Sequence, residues 1–224
     1  SRARNMLFAT RLKQTENGLQ IKLKGGIYRD LLADLRRDPA YWGVLGFPRA
    51  PKIPPKTPGG ISIEGLAASP KGRLLIGFRN PLCEDRAVIA RIRNPGALIK
   101  GGKPDFMPPL LIDLGRRGIR SIESMPGGYL IVGGAIDEEI ASRLFFWTGK
   151  QRDVPVELAY QLPDDFNPEA VFLLPEKDEV CILSDDGRFF KHKKPRDGLQ
   201  TFHGLIVARS KLMGIHYKPA VPAP

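Results

Sequence analysis

The chain has 224 residues, 42% hydrophobic and 26% charged, which is enough for one sizeable core or two small ones. Its 35 Lys and Arg against 24 Asp and Glu give a formal charge of +11, a balance that favours anionic partners such as phosphates or nucleic acid. Nothing approaches the roughly 20 apolar residues of a membrane-spanning helix, and Cys83 and Cys181 have neither the CxxC spacing nor the density of a disulfide scaffold. No span is expected, and no compartment follows from the thiols.

The sequence opens on Ser1 with no signal-peptide pattern and enters a strand-like run, "RNMLFATRL" (4–12), followed by "GLQIKLK" (18–24). "IYRDLLADLRR" (27–37) carries Ile27, Leu31, Leu32 and Leu35 on one helical face, with Arg36 and Arg37 where they suit the helix dipole. This predicts a short packing helix. "FPRAPKIPPKTPGG" (47–60) holds too many prolines for helix or ladder and predicts an extended loop.

Three related stretches follow: "SIEGLAASPKGRLLIGFR" (62–79), "SIESMPGGYLIVGGAID" (121–137) and "NPEAVFLLPEKDEVCILSDDG" (167–187). Each runs acid, apolar strand, Pro-containing turn, apolar strand. Their acids, Glu64, Glu123 and Glu169, stand 59 and 46 residues apart, close to the roughly 40–50 residues of a propeller blade with variable loops. A third strand follows in "RAVIARIRN", "SRLFFWTG" and "GRFFKHKK", and a fourth in "LLIDLG", "VPVELAYQL" and "FHGLIVAR".

Four short strands per unit and little helical pattern predict an all-β chain, a β-propeller of four-stranded antiparallel blades over 1–213 with a tail at 214–224. A β-sandwich is the alternative. The opening run matches the third- and fourth-strand pattern, so the chain is expected to start inside a blade and to hold about three and a half. A ring of 4 to 8 blades would then need a longer chain or a partner.

With "ISIEGLAASPKGRLLIGFRNPL", "DLGRRGIRSIE", "FNPEAVFLLP" and "ILSDDG" in view, the chain resembles a bacterial β-propeller family known only as a domain of unknown function. Its IEGLA-x-SP-x-G-x-LLIG pattern is also similar to the esterase-like phytase propellers. The resemblance covers roughly residues 1 to 210. It implies a propeller and, loosely, a phosphoester or other anionic ligand near the channel, and it supplies no catalytic residue.

In an antiparallel meander the start of strand one and the loop between strands two and three share a face. The three glutamates are therefore expected beside "RNPLCED", "GAIDEEIAS" and "SDDG", with Arg79, Asn80, Arg120, Asp185 and Asp186 as candidate ligand-binding residues. If the first strands line a channel, Glu64, Glu123 and Glu169 converge at its mouth. A ring of carboxylates would raise its members' pKa values unless a cation such as Ca²⁺, with 6 to 8 oxygen ligands, intervened. The other reading is that each glutamate accepts backbone N–H bonds or pairs with Arg79, Arg120 or Arg188 and pins blade to blade. Asp186 and Gly187 read equally as a hairpin turn.

"RFFKHKKPR" (188–196) interleaves two phenylalanines with basic residues, a composition able to hold phosphates and stack bases. His192, His203 and His216 show no metal-ligand spacing, and no GxSxG, Walker A, GxGxxG or paired CxxC motif occurs. Three functional expectations follow. The first is a scaffold binding a small anion or a protein at its channel mouth, the second a Ca²⁺-dependent phosphoesterase, and the third a nucleic-acid binder.

Overall fold

In a computed structural model, residues 6–136, 140–163, 166–184 and 203–216 are described. The chain is all-β in character, with four antiparallel sheets among the described residues. The first is a hairpin of β1 (Leu7–Thr15) and β2 (Gly18–Tyr28). A helical segment follows, α1 (Leu31–Arg37), α2 (Pro39–Trp42) and a 3-10 turn at Ala50–Lys52. The helix is shorter than the expected 27–37. Ile27 and Tyr28 instead extend β2, and the buried Tyr28 hydroxyl donates to Asp34 of α1 at 2.6 Å.

Two four-stranded meanders come next. One is β3 (Ser62–Ala68), β4 (Leu74–Cys83), β5 (Arg86–Ile92) and β6 (Phe106–Ile112), with α3 (Pro95–Leu98) between its last two strands. The other is β7 (Gly118–Met125), β8 (Gly128–Gly134), β9 (Arg143–Trp147) and the two-residue β10 (Val156–Glu157). A three-stranded sheet of β11 (Pro168–Leu174), β12 (Glu179–Ser184) and β13 (His203–Ala208) leads into α4 (Arg209–Met213).

Residues 202–209 were expected as the fourth strand of the last unit. Among the described residues β13 pairs directly with β12, in register from Glu179–Ala208 to Ser184–His203. That register turns Leu205 and Val207 to the same side as Val180 and Ile182, into the core. The stretch expected between them, 187–194, lies outside the described residues.

The three larger sheets stack face on face, which explains why strands such as "YLIV" of β8 are apolar without alternation. Tyr129 and Ile131 join Leu75, Ile89 and Ile119 in the core between the two meanders. Leu130 and Val132, pointing the other way along the same strand, join Val171, Val180 and Ile182 in the core against the last sheet. On the far side of the first meander, Ile76, Phe78 and Val88 are covered by Leu35, Tyr41 and Leu45 of the helical segment. Tyr41 fastens that cover: its hydroxyl donates to the Met107 carbonyl at 2.6 Å and accepts the Arg91 amide at 3.1 Å. Burial pushes its phenol up to about 12.

The two meanders approach closely because of glycines. Gly65 and Gly77 are cross-strand partners, and together they leave a notch that the Ile119 side chain fills. No helix among the described residues is long and apolar enough to cross a membrane.

Candidate functional site

The first strands of the three larger sheets share one irregularity. Each carries one extra residue against its neighbour, a β-bulge that re-aims a side chain. On β3 the extra residue is Glu64, between the pairs Ile63–Phe78 and Gly65–Gly77. On β11 it is Glu169, between Pro168–Ser184 and Ala170–Leu183. On β7 it is Arg120, between Ile119–Gly133 and Ser121–Val132. The residue of β7 in the place of Glu64 and Glu169 is thus Arg120, and Glu123 lies three positions further along the strand. The identical Ser-Ile-Glu triplets at 62–64 and 121–123 are out of register with each other in the fold.

Where a ring of carboxylates was expected, Arg120 pairs with Glu169, and Glu64 pairs with Arg79 of its own sheet. Arg79, the extra residue on β4 opposite Glu64, donates from Nη1 to Glu64 Oε1 at 3.2 Å and from Nε to the Ala135 carbonyl of the second meander at 3.1 Å. The Ser62 hydroxyl also donates to Glu64 Oε1. Arg120 Nη1 donates to Glu169 Oε1 on β11 at 2.8 Å and to Asn167 Oδ1 just ahead of that strand at 2.6 Å. Each meander thus extends an arginine to the sheet that follows it. The Arg79 and Arg120 side chains are only 10% and 7% exposed, so these charges are held where an unpaired one would be costly.

Two glycines make room for the arrangement. Gly118 sits against the backbone of Arg79, where an added Cβ would overlap the Arg79 carbonyl and lie 2.6 Å from its Cα. Gly134, the position on β8 that matches Arg79 on β4, has no side chain, and the Arg120 side chain lies over it.

Glu123 has a different task. Its Oε1 accepts the Leu173 amide at 3.3 Å, and Ser121 Oγ accepts the Val171 amide at 3.2 Å. Side chains of β7 therefore satisfy two backbone donors of β11 on the edge that β12 does not cover. Burial pushes the Glu123 carboxyl above its ordinary value, and the Leu173 hydrogen bond opposes part of that rise. Its cause is desolvation, not neighbouring carboxylates.

The sign of the resulting pH effect is fixed. A carboxyl whose folded pKa exceeds its unfolded one stabilises the fold below the unfolded value, and that contribution is lost as pH rises through the folded value. Glu123→Gln keeps an Oε1 acceptor and removes the charge. It should therefore be more stable than the parent near neutral pH, with the difference shrinking toward about pH 4, where carboxyls protonate. Thermal denaturation of the two proteins at both pH values measures this.

Among the described residues, no group of three His, Cys, Asp or Glu side chains is placed to hold one metal ion. With Glu64 and Glu169 ion-paired and Glu123 on a backbone amide, these residues do not fit a Ca²⁺ site. Asn80, buried on β4, donates from Nδ2 to the Pro55 and Thr57 carbonyls at 2.9 and 2.6 Å and so pins the proline-rich loop. Asp185, Asp186 and Arg188 lie outside the described residues, as does all of 188–196.

Two hollows among the described residues lie elsewhere. One of about 750 Å³ is lined by Tyr160, Lys211, Met213 and His216, and another of about 680 Å³ by Tyr28, Asp34, Arg37 and Lys103. Neither set carries a sequence motif; each is assembled from segments distant in the chain. No family model matches the chain, and no curated protein matches it.

Proposed function

We propose that the stacked sheets are blades of a β-propeller and that the chain works as a binding scaffold, taking a protein partner or a small anion at the channel mouth. Several features of the three larger sheets support the propeller: successive antiparallel pairing, each sheet covering the next, and a bulge at the same place on every first strand. The observation that carries the non-catalytic reading is the pairing of Arg79 with Glu64 and of Arg120 with Glu169. Among the described residues, Arg120 links its sheet to the next through Glu169, Arg79 links the first meander to the second through the Ala135 carbonyl, and Glu64 and Glu169 are each held in an ion pair.

The reading is tested by assaying the purified chain on p-nitrophenyl phosphate with added Ca²⁺ and with a chelator. The expected result is release of nitrophenol at the uncatalysed rate in both. Calcium-dependent turnover that Glu64→Gln or Glu169→Gln abolishes would replace the scaffold by a metal-assisted phosphoesterase.

A further inference from the structure

The β1–β2 hairpin carries its charge on one side. Side chains alternate along a strand and cross-strand partners share a face, so the pairs Ala9–Lys24, Arg11–Lys22 and Lys13–Gln20 bring Arg11, Lys13, Lys22 and Lys24 together. These four are exposed, and Glu16, at the tip, is the one acid between Leu7 and Tyr28. None of them has an ion-pair partner among the described residues. With Leu23 and Gly25 they line a hollow of about 440 Å³.

The base of the hairpin is held against the first meander. Gly25 has a positive φ of 75°, and an added Cβ there would overlap the Ile99 carbonyl, which accepts the Gly26 amide at 2.6 Å. That contact seats β2 at the end of α3, where the exposed Lys100 follows Ile99. Whatever packs on the other side of the hairpin, a face of four unpaired cations can be covered only by negative charge.

We infer that this face binds the phosphate backbone of double-stranded DNA, at a place apart from the Arg79 and Arg120 pairs and independent of the propeller reading. Its make-up selects that occupant. Leu12, Leu19 and Ile21 point to the opposite side of the hairpin, so a bilayer could not meet apolar side chains and cations together. Protein interfaces are depleted in Lys and built on apolar or aromatic anchors, and beside its cations this face has Ala9 and Gln20. Single strands are gripped by rings stacked on their bases, and the paired residues of this face include none. A duplex needs neither anchor nor ring: it brings one negative charge per about 1.7 Å of axis. Its major groove, about 12 Å wide, admits a two-stranded ribbon. Lys and Arg reaching phosphate oxygens hold it without reading sequence.

The test is fluorescence anisotropy of the full chain with a short labelled B-form DNA duplex. With four phosphates neutralised, affinity should fall roughly 150-fold from about 50 to about 200 mM KCl, a slope of about −3.6 in log K against log salt. Arg11→Gln/Lys13→Gln/Lys22→Gln/Lys24→Gln should abolish binding. Lys52→Gln/Lys71→Gln/Lys150→Gln/Arg152→Gln, which removes the same charge from other exposed positions, should keep it. The single variants Lys13→Gln and Lys22→Gln, which leave the strand pairing untouched, should each reduce the slope by about 0.9. A flat salt response overturns the inference. So does equal weakening by the two quadruple variants, which would assign binding to overall charge. Equal affinity for the single strand, or binding to phosphatidylglycerol vesicles in place of the duplex, overturns it as well.

Discussion

Arg120→Leu should lower the stability of the chain by about 3 kcal/mol, the scale of removing one partner from a buried ion pair. The midpoint of thermal unfolding should then fall by roughly 6–12 °C for a chain of this size. The loss arises at the contact between two sheets. Arg120 leaves β7 at its bulge and reaches Glu169 and Asn167 beside β11, so its removal takes a cation from that carboxylate and one of the links from between the sheets. Glu169→Gln keeps a side-chain oxygen able to accept from Arg120 Nη1, which also donates to Asn167, so it should cost less, about 1–2 kcal/mol. Calorimetry of both variants gives the comparison, and equal stability of Arg120→Leu and the parent would show that the pair contributes nothing.

Gly118→Ala is the second large effect, and its cause is steric. The added carbon meets backbone, not the end of a flexible side chain, so no rotamer change relieves it. Either β7 retreats from β4 or the Arg79 peptide moves, and both disturb the Arg79 contacts with Glu64 and Ala135 and the seat of Ile119 over Gly65 and Gly77. Overpacking of this kind costs about 3 kcal/mol. Hydrogen exchange should show the added opening concentrated in β4 and β7, with β11 and β12 less affected. Uniform loss across all strands would place the strain elsewhere.

Most of the strand order is legible in the sequence because it rests on short apolar runs punctuated by Gly and Pro, and these depend on local chemistry. β3 to β5, β7 to β9, β11 and β12 fall on the stretches read as strands, whereas β6 begins four residues before the expected "LLIDLG", and the proline-rich 47–60 holds a 3-10 turn at Ala50–Lys52. What escapes is what depends on register. The repeated order of acid, apolar strand, turn and apolar strand suggested three equivalent glutamates, but a bulge inserts its residue where the ladder restarts, and nothing in the repeat marks that place. Arg120, which takes the position of Glu64 and Glu169, looked like a candidate for ligand binding, and the fold turns it toward Glu169. Asn80 likewise read as a polar rim residue, although its donors go to carbonyls more than twenty residues away in a loop with no regular pattern.

The latch account has one decisive measurement: thermal unfolding of the parent and of Glu169→Gln, each in millimolar calcium and in chelator. If the rim acids fasten sheets, Glu169→Gln melts lower than the parent by roughly 2–8 °C, the equivalent of the 1–2 kcal/mol above, in both solutions. The parent's midpoint is the same with calcium as without. A parent stabilised by calcium, with that gain abolished in Glu169→Gln while the metal-free midpoint stays unchanged, would contradict the account and make the acid a metal ligand.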